Sequence, residues 1–103
     1  MYKEIDSVEN IIKLSKEKPV IVLKHSTTCP ISANGKRETD AFVEETGTDV
    51  YLVIVQSQRE ISNQLEQELG IRHESPQLLV IKDGQGKALS HYDITRDSIK
   101  SLL

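Results

Sequence analysis

The chain has very little cysteine, with one residue, Cys29, among 103. A single cysteine excludes a disulfide within the chain, and small exported domains often depend on such bonds. No apolar run approaches the ~20 residues needed to span a bilayer. The opening residues, 1–6, also lack the apolar core of a signal peptide. We therefore expect a cytoplasmic protein without a membrane segment.

Clustered basic residues and aromatic residues are also lacking. The net charge is −3, aromatic residues make up 4% of the chain, and lysine and arginine occur singly along it. Nucleic-acid-binding surfaces combine basic clusters with stacking aromatic rings, so we expect no nucleic-acid partner. Cysteine and histidine show none of the close, paired spacing of a structural zinc site. We therefore predict no metal site.

The chain does contain an alternation of strand and helix patterns. The apolar runs at 20–23 and 50–55 are rich in β-branched residues. Such runs are too short for helices and predict strands covered on both faces. Residues 78–82 and 87–92, separated by the turn-forming residues 83–86, predict a β-hairpin.

Helices are predicted where residues that favour helix N-termini precede apolar residues at helical spacing. These starting residues are Asp6 or Ser7, Pro30, Ser57 with Glu60 as a capping box, and Thr95. The predicted order is α-β-α-β-α-β-β-α in one domain, residues 1–103. Such an order indicates an α/β fold in which helices flank a mixed sheet of about four strands. It resembles the thioredoxin-like fold.

Cys29 stands between the first predicted strand and the second predicted helix, in the run Cys29-Pro30-Ile31-Ser32. Because Pro30 fits the first turn of a helix, the thiol is expected to face the positive end of the helix dipole and unpaired backbone N–H groups. Both favour the thiolate, the form that attacks disulfides. The alternative is an inert, buried thiol.

Ser32 occupies the position of a second cysteine in a Cys-x-x-Cys motif. Its hydroxyl can donate a hydrogen bond to the Cys29 sulfur, but it cannot form a disulfide. Redox chemistry at this site must therefore pass through a mixed disulfide with an external thiol. The alternative is that Ser32 only serves the first helical turn.

Further candidate residues surround this motif. Lys24 and His25 end the preceding strand, where a cation lowers the pKa of a nearby thiol and His25 is a candidate proton acceptor; a structural histidine is the alternative. Thr28 supplies a hydroxyl beside the thiol. Arg72 and His73 either meet an anionic ligand or are ordinary solvated loop charges.

The run Thr28-Cys29-Pro30-Ile31-Ser32, preceded by Lys24-His25-Ser26, resembles the signature of the monothiol bacilliredoxins. The resemblance covers essentially the whole chain. It implies a cytoplasmic, oxidative-stress thiol–disulfide oxidoreductase that removes bacillithiol from protein mixed disulfides. A Cys29–bacillithiol intermediate is then resolved by an external thiol. The implied catalytic residues are Cys29, Pro30 and Ser32.

The resemblance also implies a cis proline in Ser75-Pro76, with its loop against the active cysteine and the Ser75 backbone free to pair with an extended ligand. The alternative is a trans proline that begins a strand. The implied substrate-binding residues are Thr28, Ser75, Pro76 and Arg72, the last as a cation for the malate end of bacillithiol.

The expected partners are bacillithiolated client proteins and a small thiol, with bacillithiol as cosubstrate and no tightly bound cofactor. We expect a monomer that forms a Cys29-linked dimer on oxidation. Two other functions stay open. A non-catalytic thioredoxin-like binding or stress module would accept an adduct without restoring a client. An iron–sulfur carrier of the monothiol glutaredoxin type would ligate a cluster through Cys29.

Overall fold

A five-stranded mixed sheet forms the centre of the computed structural model, which describes residues 1–103. In chain order the elements are β1 (Tyr2–Lys3), α1 (Val8–Ser15), β2 (Val20–His25), α2 (Pro30–Thr46), β3 (Val50–Ile54), α3 (Arg59–Leu69), β4 (Gln77–Lys82), β5 (Gln85–Ser90), a 3₁₀ turn (His91–Asp93) and α4 (Arg96–Leu102).

The strands lie in the order β1-β3-β2-β4-β5. Strands β1 and β2 run parallel to β3, whereas β4 runs antiparallel to β2 and β5. The prediction of about four strands omitted β1, because two residues are too few to show a strand period. Pairing of Tyr2 with Val50 defines it. The parallel strands β2 and β3 end at the same edge, where His25 pairs with Ile54.

The side chains of β2 divide between two hydrophobic cores. Val20 and Val22 pack with residues of α1 and α3, whereas Ile21 and Leu23 pack with residues of α2 and α4. This division follows from the alternation of side chains along a strand. Each fully buried aliphatic side chain contributes about 1.5–3 kcal/mol, so both faces of this central strand stabilise the fold.

The predicted caps at Ser7 and Thr95 are confirmed. The Ser7 Oγ accepts the Asn10 N–H at 3.1 Å. The Thr95 Oγ1 accepts the Ser98 N–H at 3.0 Å, and the Ser98 Oγ accepts the Thr95 N–H at 2.9 Å. These bonds satisfy donors that a helix start leaves unpaired.

The predicted capping box of Ser57 and Glu60 is wrong. The Ser57 N–H donates to the Ile54 carbonyl at 3.1 Å, so Ser57 closes a turn after β3. Helix α3 begins at Arg59 with Gln58 as its N-cap and has no side-chain cap. The Gln58 Oε1 instead accepts the Ile54 N–H at 2.8 Å. The side chain thus bonds the end of β3 and not the helix.

Gly35 marks the place where α2 approaches the loop that leads into β4. A Cβ added to this buried glycine would lie 3.4 Å from Ile94 Cδ1 and 3.5 Å from Pro76 Cβ. Glycine disfavours a helix interior, but the residue lets α2, Pro76 and Ile94 come together. This contact fixes the Pro76 loop against the helix that begins after Cys29.

Replacing Gly35 by alanine tests this packing. The added methyl group would meet its neighbours at van der Waals distance, and alanine favours a helix interior by about 1 kcal/mol over glycine. We expect Gly35→Ala to raise the free energy of unfolding by roughly 0.5–1 kcal/mol, measured by urea denaturation. Gly35→Leu, which overfills the same space, is expected to lower it by about 1–3 kcal/mol. A large destabilisation by alanine would contradict the described packing.

Candidate active site

The loop of residues 26–29 joins β2 to α2 and places Cys29 at the N-cap of α2, with φ −103° and ψ 125°. Cys29 is partly exposed. Pro30 is the first helical residue and has no N–H, so the first unpaired N–H groups of the helix belong to Ile31 and Ser32. The thiol therefore sits at the positive end of a helix, at the carboxyl edge of the parallel strands.

The pKa of the Cys29 thiol lies below its ordinary value. The backbone N–H of Ser32 lowers this pKa most and the N–H of Ile31 next, while partial burial raises it and the Ser32 hydroxyl lowers it further. No capping hydrogen bond of standard geometry reaches the sulfur. The N–H groups therefore act mainly as oriented dipoles that favour the thiolate.

Ser32 lies fully buried beneath the loop. Its Oγ accepts the Ser26 N–H at 3.3 Å. Because that bond uses an oxygen lone pair, the hydroxyl proton stays free to point at the Cys29 sulfur. The geometry thus fits both interpretations of Ser32, as support for the loop and as a donor to the thiolate.

Gln56, in the turn after β3, holds the active-site loop and is absent from the residues that the sequence predicts. Its Nε2 donates to Ser26 Oγ at 2.8 Å and to Thr28 Oγ1 at 3.3 Å, and its Oε1 accepts the Thr27 N–H at 3.4 Å. The available signal was a polar residue directly after the apolar run 50–55. Neighbouring parallel strands end at one edge of a sheet, so such a residue lies beside the loop after β2.

The residues that end β2 do not act on the thiol as expected. Neither Lys24 nor His25 contributes to the pKa shift of Cys29. Lys24 is buried, with its Nζ 3.3 Å from His73 Nδ1. Burial, followed by Lys36, lowers the pKa of His25, so the ring is neutral at neutral pH. The prediction of an activating cation is wrong: burial disfavours a charge on His25, and Lys24 points to the α3 face of the sheet, away from α2.

The Ser75–Pro76 peptide bond is cis, which confirms the implied proline geometry. The buried Pro76 lies against Gly35 of α2, and its carbonyl accepts the His91 N–H at 3.0 Å. The N–H and C=O of Ser75 make no intramolecular hydrogen bond. Its Oγ is buried without a partner. This loop therefore offers unpaired backbone groups on the side of α2.

Arg72 and His73 have different environments. Arg72 is exposed, and only its carbonyl is bonded, by Gln77 Nε2 at 2.9 Å. Its guanidinium is free of partners. His73 is only partly exposed, with its Nδ1 2.8 Å from Ser62 Oγ and its N–H donating to Glu66 Oε2 at 2.6 Å. The interpretation of His73 as a solvated loop charge is wrong, because α3 lies directly beneath it.

The partly exposed thiol lies outside the main clefts of the structure. None of the five main clefts is lined by Cys29. No group of three or more histidine, cysteine, aspartate or glutamate side chains is arranged to hold a metal ion. The helices are each too short or too polar to cross a membrane. The surroundings of Cys29 suit a partner that docks on a surface more than a ligand enclosed in a pocket.

Comparison with known proteins assigns the family. The family model described as monothiol bacilliredoxin BrxC matches residues 2–99. The chain belongs to the monothiol bacilliredoxin family. The expected resemblance is thereby confirmed, and the single cysteine of this bacilliredoxin agrees with a monothiol site.

Solved structures agree with this assignment. A candidate oxidoreductase with a thioredoxin fold is 34% identical, with a TM-score of 0.87 over 97% of this chain and 91% of that chain. Thioredoxin from Fasciola hepatica is 18% identical, with a TM-score of 0.70 over 92% of this chain and 86% of its own. Thioredoxin from Trypanosoma brucei brucei is 13% identical, with a TM-score of 0.75 over 99% and 90%.

The last two likenesses show the fold alone. The predicted α/β thioredoxin-like fold is confirmed. Together, the family and its 34% identical neighbour support a thiol oxidoreductase.

Replacing Ser32 by alanine tests the electrostatics of the site. The change removes the hydroxyl beside Cys29 and leaves the backbone N–H that has the larger effect. We expect the pKa of Cys29 to rise, so that less thiolate is present at neutral pH and alkylation by iodoacetamide is slower. The pH profile of the alkylation rate measures this change.

The control for this test is Ser57→Ala, because Ser57 is exposed and its side chain makes no hydrogen bond. It is expected to leave the profile of Cys29 unchanged. An identical midpoint in Ser32→Ala and the wild-type protein would exclude the hydroxyl as a contributor.

Proposed function

We propose that this protein removes bacillithiol from protein mixed disulfides, with Cys29 as the nucleophile. The observation that carries the proposal is a lone, partly exposed thiol with a lowered pKa at the start of α2. Membership of the monothiol bacilliredoxin family supports bacillithiol as the small thiol. The partial exposure of Cys29, outside the main clefts, supports a protein as the other half of the substrate.

In the first step the Cys29 thiolate attacks the bacillithiol sulfur of the client mixed disulfide. A bond forms between this sulfur and Cys29 Sγ, and the bond to the client sulfur breaks. The client leaves as a thiolate that takes a proton from water. The N–H groups of Ile31 and Ser32 keep Cys29 ionised for the attack, and Pro30 starts the helix that aims them.

In the second step an external thiolate attacks the bacillithiol sulfur attached to Cys29. Cys29 leaves as a thiolate, and the disulfide passes to the incoming thiol, so no net oxidation of the protein results. Ser32 has no sulfur with which to perform this step internally, and the chain contains no other cysteine. The adduct must therefore persist until a second small thiol or a partner protein resolves it.

The loop before β4 is proposed to dock the substrate. The free N–H and C=O of Ser75 can pair with an extended segment of the client, and Pro76 and Thr28 flank that segment. Arg72, whose guanidinium has no partner in the structure, is proposed to bind the malate carboxylates of bacillithiol through charge-assisted hydrogen bonds.

This activity requires bacillithiol as a cosubstrate and no tightly bound cofactor. It also requires a compartment where thiols are reduced, such as the cytoplasm. We propose a monomer as the working form, because docking of a client occupies the surface around Cys29. Oxidation in the absence of a client is expected to join two copies through Cys29.

The direct test is mass spectrometry after incubation with bacillithiol disulfide. We expect one adduct on Cys29 of the wild-type protein and none on Cys29→Ser. In Ser32→Cys the introduced thiol is placed to attack the adduct, so bacillithiol should be released and an internal disulfide formed. Retention of the adduct in this variant would show that position 32 is not in line with the sulfur.

Catalysis is tested with a client protein whose cysteine carries bacillithiol. The wild-type protein with excess small thiol is expected to restore the client thiol at a rate well above the uncatalysed exchange. An adduct on Cys29 without restoration of the client would instead identify a non-catalytic binding module. Folded protein that forms no adduct would overturn the proposed function.

A further inference from the structure

The segment between α3 and β4 is held by side chains alone. Residues 71–75 make no backbone–backbone hydrogen bond. Gln77 Nε2 donates to the Arg72 carbonyl at 2.9 Å, and Glu66 Oε2 accepts the His73 N–H at 2.6 Å. The position of the proposed docking residue, Ser75, therefore depends on groups beneath the loop.

The centre of this support is a buried lysine. Lys24 is only 1% exposed, and its Nζ lies 3.3 Å from His73 Nδ1. The His73 Nδ1 also lies 2.8 Å from Ser62 Oγ. No carboxylate lies within ion-pair distance of the ammonium group. Backbone pairing of Lys24 with Gln77 places the lysine beside the first residue of β4, the strand that the loop enters.

A contribution to folding stability does not explain why a lysine occupies position 24. Burying an ammonium group without a carboxylate partner is unfavourable, and burial lowers the pKa of Lys24, with Glu66 opposing the shift. A methionine has a similar length and would fill the space without desolvating a charge. What the lysine provides and methionine does not is a polar amine 3.3 Å from His73 Nδ1, beside the Ser62 hydroxyl that lies 2.8 Å from the same atom.

We propose that Lys24 and His73 are positioning residues that hold segment 72–75 so that the free backbone of Ser75 meets the client. This inference rests on the proposed function. Lys24 lies on the α3 face of the sheet, whereas Ser32 and the start of α2 lie on the other face. The pair therefore affects docking and leaves the ionisation of Cys29 unchanged.

The test compares Lys24→Met with the wild-type protein. We expect the KM for a bacillithiolated client to rise about five- to tenfold, the change that corresponds to one lost anchoring hydrogen bond. We expect the kcat and the pH profile of Cys29 alkylation to be unchanged. The melting temperature is expected to be unchanged or higher. Lys87→Met is the matched control, because Lys87 is exposed on β5 and its amine forms no hydrogen bond or ion pair.

Hydrogen exchange gives a second measurement that does not require activity. In Lys24→Met the amides of residues 72–75, above all that of His73, are expected to exchange faster than in the wild-type protein. His73→Ala should have the same two effects. His73→Asn, whose Oδ1 can take the place of Nδ1 as the acceptor, should restore slow exchange and a low KM.

The outcomes separate this inference from the function it rests on. A wild-type protein that restores no client overturns the proposed function. A wild-type protein that restores clients, together with a Lys24→Met variant of unchanged KM, overturns the positioning role alone. Unchanged exchange at residues 72–75 in Lys24→Met also overturns it, whatever the activity.

Discussion

The chemistry of the site depends on one electrostatic interaction, between the Cys29 sulfur and the backbone N–H groups at the start of α2. These groups are unpaired in any helix, and they lower the pKa of the thiol with Ser32 contributing most. Because the effect comes from the backbone, it requires only that the helix begins directly after Cys29. Pro30 at the first helical position sets that beginning.

The rest of the fold keeps this contact at the surface. Hydrogen bonds from Gln56 to Ser26 and from the Ser26 N–H to Ser32 hold the loop that carries Cys29, and Gly35 allows the Pro76 loop to lie against the same helix. The alternation of side chains along β2 then separates two polar groups. The group around Ser32 lies with α2 near the thiol. The group that includes Lys24 and His73 lies with α3 beneath the docking loop. Ionisation and docking thus have separate supports.

The sequence predicts the parts of this site that are local. Strands, turns and the start of α2 are specified by the apolar runs, the turn glycines and the Cys29-Pro30 junction, each a pattern of neighbouring residues. The order of elements and the position of Cys29 at the N-terminus of α2 follow from these patterns. The roles of Gln56, Lys24 and His73 depend on residues distant in the chain; Lys24 and His73, for example, are 49 positions apart. The capping box at Ser57 was wrong for a different, local reason. The chain turns after Ile54, where the Ser57 N–H and Gln58 Oε1 bond the end of β3, so α3 begins only at Arg59.

With a single thiol, the site cannot form its own disulfide and can only attack an external one. The rate of that attack depends on how much of Cys29 is ionised. The most direct measurement is the pH dependence of thiolate absorbance at Cys29, in the native protein and in the same protein unfolded in urea. The account predicts a native midpoint at lower pH than the unfolded one, since only the folded chain presents the helix N–H groups. Equal midpoints, or a higher native midpoint, would contradict it.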